Sequence, residues 1–174
     1  AAAAPHAAHA NGANGGYLGT ALKELGKLLA AHFDLERVVD FFLDAITELA
    51  RPGRMALLLV EEDADRYKIR GQRGLDPALA EHLRLGAAAG LPAWLRQSGR
   101  LAVRQELEGE PEWLDAAREL AMLGAEVAIP LFVQAKLVGI LTLGPRLMGQ
   151  PYGTEDLERL FTKRLDWGAH PYFE

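Results

Sequence analysis

AIPLFVQAKLVGILTLGPRLMGQPYGTEDLERL, residues 128–160, is the stretch on which the fold turns. Residues 125–133 and 137–143 are apolar runs of strand length, joined by the polar turn Gln134-Ala135-Lys136, so the spacing predicts an antiparallel hairpin. The second run, LVGILTL, carries no charged side chain and is too apolar for a strand with one face in water. Residues 144–153 are a Gly- and Pro-containing loop. Thr154 then reads as the cap of a helix with Glu155 and Asp156 in its first turn, where carboxylates meet the positive end of the helix dipole.

Working back from this hairpin, Leu35, Val38, Val39, Phe42, Leu43, Ile46 and Leu49 recur at helical spacing until Pro52-Gly53 breaks the pattern. Asp34 is its expected N-cap, with Phe33 positioned to staple against Val38. Residues 55–60 and 66–71 read as two strands around an acidic turn, a second hairpin. Asp76-Pro77 opens a short helix over 78–83, and Gly90-Leu91-Pro92 opens another over 93–97. Residues 101–103 form a short strand, and Glu110-Pro111 starts a helix carrying Trp113, Leu114, Ala117 and Leu120 on one side.

The two ends differ in character from the middle. Residues 1–16, AAAAPHAAHANGANGG, contain no large apolar side chain and cannot bury enough surface to offset the entropy of ordering, so they read as a linker or non-native remnant. Leu18, Leu22, Leu25 and Leu29 then alternate at spacings of four and three, a short heptad-like seam that suits either a helix packed on its own domain or a homodimer interface. Residues 163–174 contain Gly168 and Pro171 and read as a truncated or non-native tail, with 17–162 as the domain between.

Composition excludes several functions. The 174 residues carry 24 acidic and 19 basic side chains, a formal charge of -5 with no basic stripe, so nucleic acid is not the expected partner. No apolar run approaches the roughly 20 residues of a membrane span, and the expected compartment is the cytoplasm. The chain has no cysteine, which removes thiol catalysis, thiolate metal sites and thioether attachment of a chromophore together.

Ile129-Pro130-Leu131, Val138-Gly139-Ile140-Leu141, Leu143-Gly144 and Tyr152-Gly153-Thr154-Glu155-Asp156-Leu157 match, in order and spacing, the closing pattern of GAF domains, and the chain resembles that family over about residues 18–162. The upstream order of elements, with Gly74-Leu75 after the second strand, follows the family too. The resemblance implies an α+β fold: a central antiparallel sheet of five or six strands, the terminal helices on one face, and a small-molecule pocket under short helices on the other. It also implies a non-enzymatic sensor module that forms a dimer and belongs to a larger signalling protein of the two-component kind, whose output domain is absent from this chain. Composition and periodicity alone give only an α+β domain with segregated helices.

Within that frame the sequence offers candidate ligand contacts. Arg70, Gln72 and Arg73 leave the second strand towards the short helices, where arginine suits an anionic ligand through paired hydrogen bonds. Trp94 is a candidate aromatic wall, with Trp113, Met122 and Glu126 completing the rim. His82 is the one candidate haem ligand, although its neighbours Glu81 and Arg84 favour the plainer reading of an exposed helix residue. A covalent bilin is excluded by the missing cysteine, and the Asn-Lys, Phe and Asp-Glu set of cyclic-nucleotide-binding members is not found. No His or carboxylate group has metal-ligand spacing, Glu61 to Asp65 lacking the glycine and distal glutamate of a calcium loop. The ligand itself is not specified by any motif. The rival to the sensor is a ligand-free dimerisation module, and an enzyme ranks last because no nucleophile, base and orienting group come together.

Overall fold

The computed structural model describes residues 35–61, 65–149 and 152. The leucine seam at Leu18, Leu22, Leu25 and Leu29, the Phe33-Asp34 cap and the helix expected after Thr154 lie outside the described residues.

Helix α1 (Leu35–Ala50) buries Val39, Phe42, Leu43, Ala45 and Ile46, the stripe that its periodicity demands. It rests on a six-stranded sheet of order β3-β2-β1-β6-β5-β4, in which every pairing is antiparallel. The strands are β1 (Met55–Val60), β2 (Arg66–Arg73), β3 (Arg84–Gly86), β4 (Ala102–Val103), β5 (Val127–Val133) and β6 (Lys136–Leu143). The two hairpins read from sequence meet in the middle, where β1 pairs with β6.

That junction explains the continuous apolar runs. Side chains alternate across a strand, and on β1 Met55, Leu57 and Leu59 enter the core beneath α1 while Ala56 and Leu58 enter a second core on the opposite face. With both faces covered, the central strands have no polar side. Thr142 is the single buried polar residue of the described core, and its hydroxyl donates to the Ala56 carbonyl at 3.4 Å.

Gly71 lets α1 come down onto β2. A Cβ there would lie 2.3 Å from Val39 Cγ1 and 2.9 Å from Leu43 Cδ1, so only glycine fits beneath the helix. Beside it the β1/β2 register shifts between Leu57 and Leu58, which leaves Arg70 as the extra residue of a bulge.

The opposite face is roofed by short pieces: α2 (Pro77–His82), α3 (Gly90–Ser98), α4 (Arg104–Glu108), a 3₁₀ turn (Pro111–Trp113) and α5 (Leu114–Met122). Asp76 caps α2 as its position before Pro77 predicts, accepting the Ala78 N–H at 2.8 Å.

Several boundaries differ from expectation. Lys136 belongs to β6, so the β5–β6 turn has two residues, Gln134 and Ala135, both with positive φ (50° and 64°) as a type I′ turn requires. The strand expected from 125 begins at Val127. The helix after Pro111 opens as a 3₁₀ turn. Strand β3 and helix α4 were not expected at all: β3 has three residues and α4 five, too few for either period to register.

Candidate functional site: the layer beneath the short helices

Between the sheet and its roof of short helices lies a layer built from Tyr67 and Ile69 of β2, Leu85 of β3, Leu91, Trp94 and Leu95 of α3, and Leu120 of α5. Trp94 is 9% exposed and sits within this core, with Trp113 packed against it from the 3₁₀ turn. The two tryptophans are therefore the candidate residues that the fold brings together. Tyr67 supplies the polar contact at the floor: its hydroxyl donates to the Leu137 carbonyl at 2.7 Å, joining β2 to β6. Burial pushes the Tyr67 phenol above its ordinary value, with the positive charge of Arg96 acting against the shift. Arg96 in turn donates to the Ala87 carbonyl and ties α3 to the turn before it.

The other candidates disperse. Arg70 is exposed at its bulge. Gln72 closes the turn after β2, its Oε1 accepting the Leu75 N–H at 2.9 Å. Arg73 lies on the α1 side of the sheet, 3.1 Å from Asp44 and 3.4 Å from Asp40, because beyond the bulge Gly71 and Arg73 share the face that meets α1. His82 is exposed at the end of α2 with Nδ1 2.9 Å from the Ala78 carbonyl, and Met122 is half exposed on α5. Glu126 lies just before β5, which β1 and β6 separate from the β2 strand of Arg70. Three strand spacings of about 4.8 Å put the two elements about 14 Å apart.

Glu126 belongs instead to a group at the end of the sheet. Arg146 stacks its guanidinium 4.8 Å from the centroid of the Tyr152 ring, and Tyr152 is 7% exposed. Burial pushes the Tyr152 phenol up to about 12, with Arg146 lowering and Glu126 raising it. Among the described residues, the Tyr152 hydroxyl and Arg146 Nε are buried without a hydrogen-bond partner.

One residue at the roof carries no signal in its own neighbourhood of sequence. Glu119 of α5 accepts the Leu91 N–H at 2.6 Å through Oε2, and so caps α3 from a different helix. The N-cap position of α3 is Ala89, which has no side chain to do this. Gly90 makes the room, with φ at +59° and a missing Cβ that would lie 2.4 Å from Glu119 Oε1. Burial pushes the Glu119 carboxyl above the usual range, the Leu91 hydrogen bond opposes this, and Asp115 adds to it. Among the described residues no group of three or more His, Asp or Glu side chains is placed to hold a metal ion, and no helix is long and apolar enough to cross a membrane.

A sheet sealed on one face by a long helix and roofed on the other by short ones defines an α+β domain with its helices segregated by length. The chain belongs to the GAF domain family, whose model matches residues 33–162. No curated protein matches it in sequence. The fold is similar to the GAF domain of an Acinetobacter phosphoenolpyruvate-protein phosphotransferase (16% identity, TM-score 0.56, covering 87% of this chain and 89% of that one). It is similar also to the phycoerythrobilin-bound GAF domain of a cyanobacterial phytochrome (13%, TM-score 0.56, 90% and 92%). A third similar structure is the NreA protein of Staphylococcus aureus, mutated in its nitrate-binding site (20%, TM-score 0.51, 68% and 89%).

Proposed function

We propose that this chain is the small-molecule-sensing module of a larger cytoplasmic signalling protein, and that a ligand enters between the sheet and the short helices. The observation that carries this reading is the asymmetry of the two faces: a helix of 16 residues covers one, and pieces of three to nine residues cover the other. Short helices have little stability of their own and are held by tertiary contacts, so this is the face that can part at low cost. Trp94 and Trp113 are the walls that a ligand would meet first, with the remaining candidates as rim or surface residues. Occupancy would act by favouring one packing of the helices over another, by no more than the ligand's difference in affinity for the two.

A second reading is favoured by a specific observation. Leu85, Leu91, Leu95, Leu107, Leu120 and Leu123 fill the layer at 0–2% exposure, and Gln72 and Arg73 are spent on internal bonds. This suits an interaction module that dimerises, through the leucine seam at Leu18, Leu22, Leu25 and Leu29, and takes no ligand. Native mass spectrometry compared with denaturing mass spectrometry separates the two readings. Retained extra mass that is lost on replacing Trp94 with Ala supports the sensor. A bare dimer that Leu22→Asp/Leu25→Asp reduces to a folded monomer supports the interaction module.

A further inference from the structure

We propose that Glu119 is a clasp fastening α3 to α5, and that the charge on its carboxylate sets how often the two helices part: neutral, it holds; ionised, it loosens. The inference stands whether or not a ligand enters the layer.

The geometry is that of a contact with one purpose. Oε2 takes the Leu91 N–H at 2.6 Å, a donor at the start of α3 that Ala89 cannot satisfy. Gly90, in the left-handed region and buried, leaves the space that the carboxylate occupies, and any side chain there would meet both oxygens. Leu91 is 0% exposed, so parting the helices would uncover it along with its N–H. The clasp thus joins a backbone donor and a core side chain in one movement.

The same geometry makes the clasp sensitive to charge. The carboxylate is half buried and, among the described residues, has the Leu91 N–H as its hydrogen-bond partner and no cation within ion-pair distance. A carboxylate taken out of water needs more than one donor to recover its hydration. The charged groups on the packed elements do not supply it. Asp115, one helical turn earlier on α5, is of the same sign, and Arg118 is held by Asp115 at 3.1 Å. Arg84 is bound to Glu61 and Arg104 to Glu108, while Arg96 donates to Ala87 at another part of α3. Among the described residues, neither these arginines nor Glu106 of α4, Glu112 of the 3₁₀ turn or Lys136 of β6 makes a hydrogen bond or ion pair with Glu119.

The sign follows by linkage. In the closed state Glu119 holds its proton more tightly than a solvated glutamate does, mainly through burial. Protonation therefore favours the closed pair, and raising the pH through the range of Glu119 favours the open one. Neutral glutamate still offers its carbonyl oxygen to Leu91, so the bond survives in the closed form.

The test is site-resolved amide exchange of the whole chain by NMR, followed from about pH 5 to 8 and corrected for intrinsic rates, with Leu58 of the central strand as the control for global unfolding. Leu91 protection is expected to fall as pH rises through the range of Glu119, while Leu58 holds. Glu119→Gln, neutral and of the same shape, is expected to keep Leu91 protected and remove the pH dependence. Glu119→Ala is expected to leave Leu91 unprotected at every pH. A Leu91 protection that follows Leu58 throughout, or that is the same in Glu119→Gln and Glu119→Ala, overturns the proposal. Should Glu119→Ala fail to fold, the pH dependence of the wild type against Glu119→Gln decides alone.

Discussion

Replacing Gly90 with Ala probes the clasp from its other side, and its cost divides into two separable parts. An L residue at a φ of +59° is strained by about 1–2 kcal/mol relative to glycine. Its Cβ, 2.4 Å from Glu119 Oε1 and 2.5 Å from Oε2, then displaces the carboxylate from Leu91, and losing a cap costs about 1 kcal/mol. The sum is a loss of about 2–3 kcal/mol. Glu119→Ala alone loses the cap and costs about 1 kcal/mol. In the double variant there is no carboxylate left to displace, so the total should equal that of Gly90→Ala rather than exceed it. A thermodynamic cycle from urea denaturation should therefore show a coupling of about 1 kcal/mol, outside the roughly 0.3–0.5 kcal/mol within which independent sites add. Unchanged m-values would place the effect in the folded state. Additive costs would show that Gly90 and Glu119 do not share this contact, and the reasoning would fail.

Other positions give predictions of differing sign. Gly71→Ala should cost about 1–3 kcal/mol in the same denaturation assay, and Val39→Ala beside it should recover part of that loss by removing the methyl group that the new Cβ meets. The two buried tyrosines should behave oppositely. Tyr67→Phe removes the partner of the Leu137 carbonyl and should cost about 1–3 kcal/mol, whereas Tyr152→Phe removes a hydroxyl with no partner among the described residues and should be neutral or stabilising. Because the Tyr152 phenol is raised from its ordinary 10 to about 12, its neutral form contributes stability that is complete below about pH 10 and lost as pH rises towards 12. Alkaline titration of stability should accordingly be flatter in Tyr152→Phe. Gln134→Asn with Ala135→Gly should raise the melting temperature, since both residues hold positive φ in a two-residue turn that favours Asn-Gly.

What could be read from the sequence was whatever a repeating period spelled out. The stripe of Val39, Phe42, Leu43 and Ile46 and the unbroken runs of β1 and β6 are long enough for burial on one or both faces to fix every position. Asp76 before Pro77 marked α2 because its cap is two residues from its partner. Strand β3 could not be seen in this way. Arg84-Leu85-Gly86 is a strand only because Tyr67 and Lys68 lie opposite to pair with it, and no property of three residues announces a partner elsewhere in the chain. Helix α4 is similar, five residues held by Leu107 in the core.

The candidate site was legible to a smaller degree, for a related reason. Arginines, histidine and tryptophans attract attention as residue types, but which way they face follows from strand parity, and a bulge resets parity. Residue types and strand length leave the β1/β2 bulge invisible, so Gln72 and Arg73 were expected to head together for the short helices, whereas the bulge at Arg70 puts Gly71 and Arg73 under α1. Glu119 was missed because it looks like an ordinary surface glutamate on a helix with Asp115 and Arg118 as neighbours. The signal that would have found it lies 28 residues away: a helix that starts at Ala89-Gly90-Leu91-Pro92 has no side chain able to accept its first N–H groups. Its buried start leaves those donors beyond the reach of water, so an acceptor has to arrive from another element. A glycine at the first helical position then says how close that acceptor comes. Glutamates of the roof are then the short list, and Gly90→Ala is the substitution that tells which of them is used.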